Sequence, residues 1–202
     1  MKLNLKSMKT VILGTAHGSN VLGKCSPDGR LREYRYSREV CRSVCVALKS
    51  RGVNCIIDID AEQESSLSER VRLVNGLCRE HGDCVYVSIH CNAAGSDGCW
   101  HDARGFAVMV APNASQHSRR LATIFHRNAI AMGLQGNRCY PQRGYYEQSL
   151  AVCRDTRCPA VLTENLFQDN CADVNFLLSA KGRQVIVNLH VNSIIEYLNM
   201  LS

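Results

Sequence analysis

No stretch of this chain carries the run of about 20 apolar residues that a membrane-spanning helix requires. No Cys-x-x-Cys pair occurs among its 12 cysteines, so a cysteine zinc knuckle is excluded. No His-Glu-x-x-His stretch occurs, which removes the local ligand spacing of the common zinc proteases. No cleaved export signal is expected either. Lys2, Lys6 and Lys9 look superficially like its basic start, but the apolar run that follows is too short and His17 interrupts it. Residues 1–9 are therefore expected to be a loose tail and most thiols to be reduced, as in a cytoplasmic protein. There is no internal repeat, linker or low-complexity segment, so residues 10–202 are expected to form one domain.

The net charge of +6 is moderate. It suits association with a polyanion, yet no aromatic RNA-binding signature or basic helix accompanies it, and nucleic acid is not expected as a partner. Arg30, Arg32, Arg35, Arg38 and Arg42 cluster around Glu33 and Glu39 and are expected to form a solvated helix face with its preceding loop.

The hydrophobic pattern alternates between strands and helices. Thr10 to Leu13, Val53 to Ile59, Val85 to Ile89, Phe106 to Ala111, Leu150 to Cys153 and Pro159 to Glu164 read as strands. Ser37 to Leu48, Ser66 to Glu80, Ser115 to Met132 and Ala180 to Leu198 carry apolar stripes of helical period, with Gly52 as a stop and Ser66 or Ser68 as a capping residue. This predicts a single α/β domain, a mixed sheet with helices on both faces.

Three strands end in polar residues of one chemical kind. The first runs into His17-Gly18, the third into His90-Cys91-Asn92, and the last into Glu164-Asn165. Open α/β sheets bind their ligands at the carboxyl ends of their strands. A catalytic zinc site needs three His, Glu, Asp or Cys ligands and an open position. His17 and His90 supply nitrogen, and Glu33 is the best oxygen donor, with Glu39 as a rival inside the helix pattern. Glu164 is placed to move protons. Asn92 shares His90's side of the strand, and Arg143 and Tyr145 are candidates for lining a cleft. Trp100, the single tryptophan, lies in a long polar loop after His90 and is a candidate sugar contact or loop anchor. His81, His101, His117, His126 and His190 show no convergent spacing and read as surface or helix residues, and Cys91 as core.

In order along the chain, Ala16-His17-Gly18, the Gly-x-Leu-x-Glu of Gly29 to Glu33, Leu67 to Val71, Ser88-Ile89-His90-Cys91-Asn92-Ala93 and Pro159 to Asn165 resemble the zinc-dependent N-acetylmuramoyl-L-alanine amidases of the amidase-3 type. These include bacterial wall enzymes and phage endolysins. The resemblance implies a six-stranded sheet, a zinc ion held by His17, Glu33 and His90, and Glu164 as catalytic acid/base. It also implies peptidoglycan as substrate, cut at the amide between N-acetylmuramic acid and L-alanine. The first motif departs from the family's usual Asp-Pro-Gly-His-Gly, reading Gly14-Thr15-Ala16-His17-Gly18 here. A monomer is expected, held in the cytoplasm until release to the wall in the manner of an endolysin. The competing readings are a zinc peptidase cutting elsewhere in stem peptides and a non-catalytic wall-binding protein.

Overall fold

The computed structural model describes residues 9–201, so most of the expected tail lies outside the described residues. Within them, β1 (Thr10–Thr15), β2 (Cys55–Ile57), β3 (Cys84–Asn92), β4 (Ala107–Val110), β5 (Tyr146–Glu147) and β6 (Ala160–Phe167) form one sheet, in the order β2-β1-β3-β6-β4-β5. The first four strands of that order are parallel; β4 runs antiparallel to β6, and β5 parallel to β4. The sheet is therefore mixed and six-stranded, as expected.

Six helices cover it: α1 (Glu33–Lys49), α2 (Leu67–His81), α3 (Gln116–Ala131), α4 (Ala151–Arg154), α5 (Cys171–Leu178) and α6 (Ala180–Met200). The period-2 alternation of the strands divides the core. Val85, Val87 and Ile89 join α1, α3, α5 and α6 on one face. Tyr86, Ile12 and Leu162 join α2 and the short α4 on the other. By the same alternation, His90 and Glu164 continue the α2/α4 face, at the edge beyond which that cover ends.

Local sequence chemistry sets the element ends. Ser66 accepts from the Glu69 N–H while the Glu69 carboxylate accepts from the Ser66 N–H, a complete capping box opening α2. Ser115, Asn170 and Ser179 cap α3, α5 and α6 in the same way, by accepting a backbone N–H.

Three sequence readings need correction. Leu150 to Cys153 is not a strand; its backbone closes a helical turn, with the Cys153 and Arg154 N–H groups donating to the Leu150 carbonyl. A four-residue apolar run satisfies either period, and docking against α2 decides it. The stretch after Asp169, outside every expected element, opens into α5, whose Val174 and Leu177 are buried. Helix α1 begins a full turn before Ser37, which places Glu33 in its first turn.

Candidate active site

His17 stands two residues beyond the end of β1 and takes φ 36°, in the left-handed region that a side-chain-bearing residue enters only under constraint. The constraints are visible. Gly18 lies against the 62–64 loop so closely that an added Cβ would meet the Glu64 nitrogen at 2.0 Å. The Ser19 N–H donates to the Glu62 carbonyl at 2.7 Å. On the other side, Arg38 sends its guanidinium to the carbonyls of Ala16 (2.8 Å), Tyr34 (2.9 Å) and Ala61 (2.6 Å). Arg38 is thus buried rather than part of a solvated face, because three carbonyls need its donors.

Ser37, one turn after Glu33 on α1, joins two strand ends. Its Oγ accepts from the Ala16 N–H at 2.8 Å and donates to the Ile89 carbonyl at 2.6 Å. Ala16 precedes His17 and Ile89 precedes His90, so a single hydroxyl sets the spacing of both imidazoles. Beneath them, a buried Asp58 carboxylate accepts from Arg70 (2.6 Å), from the Tyr86 hydroxyl (2.8 Å) and from the Thr15 N–H (3.0 Å). Gly14 leaves room for this network, since a Cβ there would sit 2.2 Å from the Tyr86 oxygen. Sequence reading missed Ser37, Asp58 and Arg70. The available signal was a lone carboxylate, Asp58, inside the apolar run from Cys55 to Ile59.

These supports bring His17, Glu33 and His90 together, with one ligand-type atom from each lying within 4.8 Å of the others. Glu33 Oε1 meets His90 Nδ1 at 3.1 Å and accepts from the Cys91 N–H at 3.1 Å, while Oε2 lies 3.6 Å from His17 Nε2. The Ser88 hydroxyl, 3.1 Å from His90 Nε2, orients that ring. Glu39, the rival ligand, instead pairs with Arg183 at 2.9 Å.

Glu164 pairs with His90 across β3 and β6. Immediately after, β6 carries one extra residue: His90 opposes Glu164, yet Asn92 opposes Phe167. Leu166 adopts φ 64° in this bulge, and the Asn165 amide donates to the His90 carbonyl at 2.9 Å. Bulges of this kind re-aim side chains beside active sites.

The electrostatics differ from residue to residue. Burial pushes the Glu164 carboxyl up to about 7, a rise reinforced by the Glu33 charge and opposed by His90. Burial lowers His17 to about 4, against the pull of Glu33. At His90 burial opposes the charged ring, but the hydrogen bond and charge of Glu33 outweigh it and the pKa is raised. Burial likewise works against the charged Glu33, but the His90 hydrogen bond and both imidazoles hold its carboxyl below the usual range.

The remaining candidates are placed elsewhere or otherwise engaged. Asn92 sits at the end of β3 with its Oδ1 accepting from the Ala93 N–H at 2.9 Å. Arg143 pairs with Glu147 at 3.1 Å and stands over the buried Tyr145 ring, beside the edge strand β5, with no contact to the cluster among the described residues. Trp100 is partly exposed on a loop that Asp169 pins through the Ala94, Gly95 and His101 N–H groups. Cys91 is core, as expected. His190 is not a surface residue: it is fully buried, bonded to the Ile186 carbonyl (2.8 Å) and the Thr163 hydroxyl (3.0 Å), away from the cluster.

The cluster fits a metal ion on its own chemistry. Two imidazoles and a carboxylate form a zinc-type donor set. Glu33 Oε2 and Glu164 Oε2 are both buried without a hydrogen-bond partner. Fold and site together define an α/β domain with a His–Glu–His metal-type cluster and a buried carboxyl beside it at the carboxyl edge of its sheet.

Comparison with known proteins gives the family. The profile of the N-acetylmuramoyl-L-alanine amidases, amidase-3 type, matches residues 11–196, and the chain belongs to that family. It is 23% identical over 193 residues to the N-acetylmuramoyl-L-alanine amidase CwlM of Bacillus licheniformis, covering 96% of this chain and 70% of that one. It is 25% identical over 193 residues to the endolysin of Bacillus phage SPP1, covering 95% and 67%. Among solved structures, the N-acetylmuramoyl-L-alanine amidase of Clostridium difficile 630 superposes with a TM-score of 0.83 at 21% identity, over 98% of this chain and 100% of that one. Ami1 of Mycobacterium smegmatis gives 0.81 at 20%, over 95% and 97%. Both share the fold.

Proposed function

We propose that the chain is a zinc-dependent hydrolase of the amide bond between N-acetylmuramic acid and L-alanine in peptidoglycan. His17, Glu33 and His90 are its metal ligands and Glu164 is its acid/base. The observation that carries this reading is the convergence of those three ligands with Glu164 in register beside His90. Zinc in such a site supplies a Lewis acid that polarises a carbonyl and lowers the pKa of water.

The protein's own part follows from the geometry. Glu33, fixed by the Cys91 N–H at Oε1, would hold the cation with its unpartnered Oε2. Glu164, poised near neutrality, accepts a proton from the attacking water and passes it to the departing alanine nitrogen. Asn92, at the same edge, keeps its amide N–H groups for the substrate. Among the described residues no helix is long and apolar enough to cross a membrane. Residues 10–202 act as a monomeric catalytic domain, and the similarity to the phage protein supports an endolysin-like role with release from the cytoplasm to the wall.

Mass spectrometry of a peptidoglycan digest tests the bond. Whole stem peptides with a free L-alanine amine are expected, lost on chelation and restored by zinc. Fragments that keep L-alanine on the sugar would make the chain a peptidase instead.

A further inference from the structure

No side chain aims Glu164. Among the described residues its carboxyl makes no hydrogen bond, and Oε2 is buried without one. The backbone therefore sets its direction, and that backbone is irregular. Up to this point β6 keeps parallel register with β3, Ile89 opposing Thr163 and His90 opposing Glu164. Directly afterwards the register slips, and Leu166 stands at φ 64°, a conformation that persists only where its surroundings hold it. Asn165 lies between the two and is fully buried. Strand alternation turns it away from Glu164, to the side where Thr163 meets α6. Its carboxamide nitrogen donates to the His90 carbonyl at 2.9 Å and lies 3.2 Å from Thr163 Oγ1. That hydroxyl stands 3.0 Å from His190 Nε2, and His190 is bonded in turn to the Ile186 carbonyl of α6 at 2.8 Å. The carboxamide is thus braced from behind and reaches across to β3 where the ladder breaks. His90 has other supports: its ring is held by Glu33 Oε1 and Ser88 Oγ, each at 3.1 Å, and β3 stays in register with β1 as far as Ile89. The partner with no other support is Glu164.

We propose that Asn165 is the positioning residue for Glu164: by tying the bulge of β6 to the His90 carbonyl, it fixes where the Glu164 carboxyl stands beside the cluster. It governs turnover through Glu164 and has no part in holding substrate or metal. This rests on the amidase reading.

The test compares N165A with V161A, using zinc-loaded protein and a soluble muramoyl dipeptide. Val161 is buried on the same strand and face, so V161A costs stability without touching the bulge and should keep kcat. N165A is expected to lower kcat about 10- to 100-fold with KM and zinc per chain unchanged, the effect of misplacing a reacting group by about 1 Å. N165L, which keeps the branched shape and lacks the donor, should behave alike and stands in where N165A fails to fold. An unchanged kcat in these variants, or an equal loss in V161A, would overturn the proposal. Loss of zinc from N165A would overturn it too, making the bond a support of His90. Crystal structures of the unmodified protein and the variant read the same claim without turnover: the Glu164 carboxyl is expected to move by about 1 Å while His17, Glu33 and His90 stay in place. If the unmodified protein cleaves no muramoyl probe but Glu164 moves in this way, the positioning role stands and the amidase reading fails. If the probe is cleaved and Glu164 does not move, the positioning role fails and the amidase reading stands.

Discussion

Replacing Ser37 with alanine removes one hydroxyl and disturbs both of the proposed histidine ligands at once. The side chain is buried, and its Oγ serves the Ala16 N–H at 2.8 Å and the Ile89 carbonyl at 2.6 Å. Alanine leaves both buried groups without that partner. An unsatisfied buried donor or acceptor costs about 1–3 kcal/mol, so the two together should cost about 2–6 kcal/mol. For a chain of this size that lowers Tm by about 10 °C. The second consequence is local. His17 and His90 each follow one of the released groups, so their spacing loosens, and zinc affinity should fall about 10- to 100-fold, as when an orienting partner of a ligand is lost. Urea unfolding of the metal-free protein measures the first effect, and competition with a chromophoric chelator the second. Ser43 on the same helix is the control: its exposed hydroxyl donates to the Glu39 carbonyl at 2.9 Å, and S43A should stay within about 0.5 kcal/mol. If S37A matches S43A in both assays, the hydroxyl does not hold the two strand ends in place.

Three further outcomes follow from the same structure. G18A forces a Cβ to within 2.0 Å of the Glu64 nitrogen, so the 62–64 loop must shift; a drop of about 1–3 kcal/mol in urea unfolding with weakened zinc binding is expected, and normal zinc binding would contradict the role given to that loop. D58A strands the buried Arg70 charge and should cost about 3–5 kcal/mol by the same assay, whereas a loss below 1 kcal/mol would refute it. His190 is held by burial at about 4 instead of 6.5, so the unfolded chain binds the extra proton between those values. Its contribution, about 3 kcal/mol, is complete above pH 6.5 and is lost as pH falls towards 4; H190L should lack that part of the slope, and an unchanged slope would exclude His190 as its source.

What was legible in the sequence is what periodicity and strand ends encode. β1, β3 and β6 read clearly because they are buried runs, and His17, His90 and Glu164 because each closes such a run. Glu33 needed the family register, since its chain neighbours do not say that α1 starts a turn early and turns that carboxylate over the sheet edge. The supports were hidden for a different reason. Ser37, Arg38 and Arg70 look like ordinary polar positions on amphipathic helices, and only the tertiary packing shows which backbone groups they satisfy. His190 was readable in principle: it stands four residues from both Ile186 and Ile194, on the buried stripe of α6. A polar type at an apolar position concealed it, and Thr163 supplies the partner that makes its burial tolerable.

The measurement that bears most directly on the central claim compares unmodified protein with E164Q, reading bound zinc per chain and release of stem peptide from purified peptidoglycan. The account predicts one zinc in each and a loss of turnover in E164Q of about 10²- to 10⁴-fold, the range of a positioned acid/base. An E164Q protein that cleaves at the original rate would contradict the role of Glu164, and one that loses its zinc would make Glu164 a ligand instead of the proton carrier.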